Sequence, residues 1–150
     1  MHNIAAVART RVRKPKADVF AAFADAEKMS RFWLTRKDKG LKEGEPVTLY
    51  MGPEAGAFSF DVLVKTVNEP HRIAWEWIGP DEIATQVTFS FDESDDGGTI
   101  LTVEETGFGG SEENMIGRAL DSTGGFNQVI IAAKAMIEHG VAINVVADHA

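Results

Sequence analysis

The chain has 150 residues, 44% hydrophobic and 25% charged, with no cysteine and a net charge of −8 at pH 7. That length suits one domain with one core, burying roughly 68–70% of the unfolded chain's surface. The composition excludes a disordered chain, disulfides and thiol catalysis, and the negative charge argues against nucleic acid or an anionic membrane as partner. No apolar run approaches the ~20 residues of a membrane span, and the start, Met1 to Val7, turns basic at Arg9, Arg11 and Arg13 without a signal-peptide core. A cytoplasmic protein without a membrane span is the expectation.

In chain order, Ile4 to Val12 reads as a first strand whose basic side faces solvent. Pro15 then starts a short helix carrying Val19, Phe20 and Phe23 on one face, and Asp25 is placed to cap a second one carrying Met29, Phe32 and Trp33. Beyond these the period changes to two, punctuated by Gly44-Glu45-Pro46, Gly52-Pro53, Glu69-Pro70 and Gly79-Pro80. The segments between are Val47–Met51, Ala57–Val67, Arg72–Ile78, Ile83–Phe91 and Thr99–Thr106, and their short connections predict an antiparallel meander. Asp92 to Gly98 reads as a hairpin turn.

Alternation assigns the faces. Phe58, Phe60, Val62 and Val64 share one side, as do Ile73, Trp75 and Trp77, then Val87, Phe89 and Phe91, then Leu101 and Val103. Polar residues such as Asp61, Lys65, Thr88 and Glu104 take the other side, so the sheet has one dry face. Asn114 to His139 reads as a long helix, with the paired glycines Gly124-Gly125 as its expected kink point. Its stripe of Phe126, Val129, Ile130, Ala133, Met136 and Ile137 spans an arc of roughly 120°. Gly140 is a natural stop for it. Ile131 lies off the stripe, where solvent, a flanking strand or a subunit contact are the alternatives. The economical arrangement curls the aromatic-rich sheet around this helix and leaves an apolar cavity between them.

The predicted cavity wall takes Phe60, Val62, Trp75, Trp77, Val87, Phe89 and Val103 from the meander. Phe126, Val129 and Ile130 come from the last helix, and Phe32 and Trp33 from the segment after the first strand. Glu105 is the one candidate for acid–base chemistry, because alternation puts it beside Leu101 and Val103 while Glu104 faces water. At the edge of an apolar pocket it would serve as proton donor, general base or anchor for an amine; the alternative is a strand-end residue on a solvated rim. His2, His71, His139 and His149 lack metal-ligand spacing, so no metal site is expected. Gly107-Phe108-Gly109-Gly110 carries neither phosphate-loop nor dinucleotide spacing, and no serine sits in a nucleophile elbow. No cofactor is implied.

Several segments together resemble the START-like (SRPBCC) superfamily, and within it the bacterial family of homologues of the activator of the heat-shock protein 90 ATPase. They are Asp18 to Phe23, Arg31-Phe32-Trp33, Asn68 to Ile73, Glu105 to Phe108, and Gly125-Phe126 running to Ile137–Gly140 with Asn144 and Asp148-His149 beyond. The resemblance covers nearly the whole chain and implies an α+β helix-grip fold. That fold is a curved antiparallel six-stranded sheet wrapped around a long C-terminal helix, with two short helices between strands 1 and 2. The chain departs from the family in having Phe126 where Trp is usual and Glu105 where His or a neutral polar residue is frequent.

The family implies shape more than task. The leading expectation is a non-catalytic carrier or sensor for a small hydrophobic or amphipathic molecule. An enzyme of cyclase, hydratase or hydrolase type using Glu105 stays open, as does a chaperone-associated interaction module. A chaperone partner has less support, because the eukaryotic co-chaperones of the family carry an additional N-terminal domain and 150 residues leave no room for it. A homodimer is compatible with the sequence.

Overall fold

Strict alternation of large apolar and polar residues builds the sheet. The computed structural model describes residues 3–25, 27–34, 36–37, 39–51 and 59–148. Within them β3 (Pro46–Tyr50), β4 (Ser59–Asn68), β5 (Arg72–Ile78), β6 (Ala84–Glu93) and β7 (Thr99–Thr106) form an antiparallel meander, and β1 (Ala6–Val12) pairs with β7. These are the six strands of the expected open sheet. A two-residue strand, β2 (Arg36–Lys37), extends it past β3, giving the order β1-β7-β6-β5-β4-β3-β2. The Gly52-Pro53 turn, the inward position of Phe58, and His2 and His149 lie outside the described residues.

Side chains on the concave face pair across the strands in registered rows. Ala6, Glu105, Val87, Trp75 and Val64 follow one another across five strands. A bulge at Lys65, where the pairing shifts between Val64 and Thr66, bends β4 and adds to the curl of the sheet. The convex face is polar: Arg9 reaches Thr102 Oγ1 at 3.2 Å, and Arg11 pairs with Asp96 in the β6–β7 turn at 3.3 Å.

Between β1 and β2 the chain forms α1 (Lys16–Ala24), entered through extended Pro15, with Val19, Phe20, Ala22 and Phe23 buried. Asp25 ends this helix, its backbone N–H bonding Ala21 O. The second short helix is a single 3-10 turn, Lys28–Arg31. It stays that short because Met29 O accepts from Phe32, Trp33 and Leu34 in turn, which drives all three side chains into the core. Lys37 on β2 completes α1: it is 4% exposed, and its Nζ donates to Phe23 O at 2.8 Å and Ala24 O at 3.3 Å. It thereby supplies donors to the carbonyls of the last turn of α1, which has no basic residue of its own. Burial pushes the Lys37 pKa down to about 7, against a smaller upward pull from Asp25.

The long helix, α2 (Glu112–His139), begins two residues before Asn114, because the Ser111 side chain caps it by accepting from the Asn114 N–H at 3.1 Å. It runs through Gly124-Gly125 without a break and ends at Gly140, whose φ of 68° gives the left-handed stop. Its last turns are tied to the end of β1: Lys134 Nζ donates to Arg11 O, and the Arg13 N–H donates to Glu138 Oε2 at 3.0 Å. Burial opposes charge on Glu138, but the Lys134 ammonium and the Arg13 N–H outweigh it and hold this carboxyl below its ordinary value. Ile131 is exposed. After Gly140 the tail folds back on the 3-10 turn, with Val145 N bonding Phe32 O at 3.0 Å and Asn144 Nδ2 reaching Ser30 O and Leu34 O.

Candidate functional site

The space between the concave face and α2 is filled unevenly. Toward the end of α2, Val129, Ile130, Ala132 and Ala133 are buried against the strands and α1. The same stripe has Ala119 packed with Ala6 and Phe108 and then, one turn before Phe126, reads Ser122, a small side chain where the later turns carry Val and Ile. The volume missing there is a hollow of about 180 Å3 bordered by Trp33, Met51, Trp77, Phe126, Val129 and Val145, with Asp121, Ser122 and Gly125 on the α2 side. It opens to solvent beside exposed Gly125.

Aromatic rings set its shape. Trp33 stacks on Trp75 with centroids 6.0 Å apart and meets Phe126 edge-on at 5.9 Å; Trp77 stacks against Phe126 at 6.3 Å. Behind them Phe89 lies 4.9 Å from Trp75. The fold brings Trp33, Trp77, Phe126 and Val129 to the hollow itself. Trp75 and Phe89 back that wall, while Phe32, Val62, Val87, Val103 and Ile130 are buried in the core and do not border it. Phe60 sits 5.8 Å from Trp77 and borders a second, smaller pocket.

That pocket, of about 80 Å3, lies between Phe60, Trp77, the Ile78–Pro80 turn, Glu105, Arg118 and Ser122. Glu105 faces inward in step with Thr99, Leu101 and Val103 and is 1% exposed, away from the solvated rim. Its Oε2 accepts from Thr85 Oγ1 at 2.5 Å and from Trp77 Nε1 at 3.1 Å. Its Oε1 is buried without a partner, and so is Trp75 Nε1. Arg118 closes the rim: it pairs with Asp81 at 2.5 Å and lies flat on Gly79, where any Cβ would stand 2.5 Å from the guanidinium. A hydrogen bond from Asn114, reinforced by Arg118 and the Ile83 N–H, holds the Asp81 carboxyl at about 2.

Periodicity misses Met51, Ser122, Gly125, Val145, Thr85 and Arg118. Ser122 has a readable signal, since projecting the stripe back from Phe126 lands on it. Val145 has none, because it arrives through the fold-back of the tail. Larger clefts of about 580 and 500 Å3 lie outside the grip: a charged one between α1 and the end of α2, and one on the outer side of α2 at Ile131 and Ile143. None of the described helices is long and apolar enough to cross a membrane.

Comparison with known proteins agrees with this architecture. Residues 13–135 match the family described as Activator of Hsp90 ATPase homolog 1-like protein. A crystal structure of a Staphylococcus saprophyticus protein is 26% identical, covering 93% of this chain and 96% of that one, with a TM-score of 0.76. DynU16, from the dynemicin biosynthetic locus, shares the fold at 17% identity and a TM-score of 0.79, over 94% of this chain and 49% of its own. The Aha1 dimer of Colwellia psychrerythraea shares it at 11% identity and a TM-score of 0.74, over 91% and 98%. No curated protein matches significantly. The fold is consistent with a ligand-binding domain.

Proposed function

As the chain belongs to the Activator of Hsp90 ATPase homolog 1-like family, we propose that it binds a small hydrophobic or amphipathic molecule between its sheet and C-terminal helix, as a non-catalytic carrier or sensor in the cytoplasm. The observation that carries this reading is the hollow of about 180 Å3 walled by Trp33, Trp77 and Phe126. Drug-sized ligands occupy sites of roughly 300–1,000 Å3, whereas an apolar cavity of about 150 Å3 holds a benzene molecule. The expected ligand therefore presents one aromatic ring or a short alkyl chain to this site. Large apolar walls with few polar groups suit retention of such a molecule better than turnover of it.

Gly125 provides the test. A Cβ there meets nothing within 4 Å, and φ is helical, so a larger residue fits the backbone and projects beside the hollow. Gly125→Leu is expected to raise helix stability by roughly 0.5–1 kcal/mol and to abolish binding of benzene or toluene, followed by indole fluorescence and calorimetry. Unchanged binding in a folded Gly125→Leu protein would remove the hollow from the account. Native mass spectrometry of the protein from its own host reports the occupant; a chaperone retained on a protein with an empty hollow would favour the interaction reading instead.

A further inference from the structure

Resting on the ligand reading of the hollow, we infer that the ligand carries an ammonium group, seated in the smaller pocket against Glu105 Oε1 while its apolar body occupies the larger hollow. The two spaces share Trp77 and Ser122 as lining residues, so they adjoin. The smaller one, about 80 Å3, has room for a head group and not for a ring.

Three features select a cation. Both protein donors to Glu105, from Thr85 and Trp77, go to Oε2, and Oε1 is left buried and unpaired. A buried acceptor without a donor is costly, and a buried carboxylate without a counter-charge costs more. Among the described residues no Lys, Arg or His lies within ion-pair distance of Glu105. Arg118, which borders the same pocket, is matched by Asp81 at 2.5 Å and held flat on Gly79. An ammonium supplies donors for Oε1 and sets a positive charge beside the carboxyl group. The third feature is the Phe60 ring, which borders the same pocket as Glu105 and brings aromatic surface to it.

Phenethylamine and propylbenzene test this directly, since they share a ring and a chain length and differ in ammonium against methyl. The wild-type protein is expected to bind phenethylamine at least tenfold more tightly by calorimetry. Nuclear Overhauser contacts are expected from the amine-bearing methylene to the Phe60 ring protons. Glu105→Gln keeps an acceptor for Thr85 and Trp77, and is expected to weaken phenethylamine binding at least tenfold and so erase the preference. Equal affinity of the two ligands for the wild-type protein overturns the inference without needing the variant to fold. So does a preference that survives Glu105→Gln. If only propylbenzene binds, the hollow stands and the ammonium assignment falls; if neither binds, both fall.

Discussion

From Ile130 onward α2 rests on a filled core, with Ile130 wholly buried and Lys134 and Glu138 tied to the backbone at the end of β1. Before Phe126 the same helix carries small Ser122 with a hollow beside it, exposes Ile116 and Leu120, and packs Ala119 against Ala6 and Phe108. One amphipathic helix thus borders two kinds of interior, one filled and one with open volume. The difference follows side-chain volume along the stripe, where Ser122 stands in the place that Val129 and Ile130 take in later turns.

The largest expected effect breaks the filled end. Ile130→Ala is expected to cost about 2–5 kcal/mol in urea unfolding, since the surrounding side chains lock the cavity it leaves open. Benzene binding at the other end should persist in the fraction that stays folded. Equal loss of stability and binding would mean the two ends act as one unit.

A smaller effect sharpens the comparison through Lys37, which caps α1 at the filled end. Its folded pKa of about 7 lies below the unfolded value of 10.5, so above pH 7 the unfolded chain binds the extra proton and stability rises with pH. The gain from pH 7 to about pH 9 is roughly 2 kcal/mol for this group. It should vanish in Lys37→Met, read as the difference between the two urea-stability profiles, while benzene affinity stays constant with pH in both proteins.

Much of this division is written in residue order. Period two gives the dry face of each strand, and the helical stripe gives the face of α2, because both follow from backbone geometry alone. The inward direction of Glu105 follows from the same alternation. Depth does not, since whether an inward residue meets atoms or empty space depends on neighbours from other elements. Phe32 and Trp33 are adjacent and both point inward, yet only Trp33 borders the hollow. Its wall is finished by Val145, brought there by the backbone bond to Phe32 O and by Asn144 gripping Ser30 and Leu34. The two-residue strand β2 is likewise fixed from outside its own sequence, through Lys37 and the end of α1.

The most direct measurement is a crystal structure under xenon pressure. A xenon atom bordered by Trp33, Trp77, Phe126 and Val129, with none beside Ile130, is the predicted result. Side chains filling that space, or xenon bound only at the Ile130 end, would contradict the account.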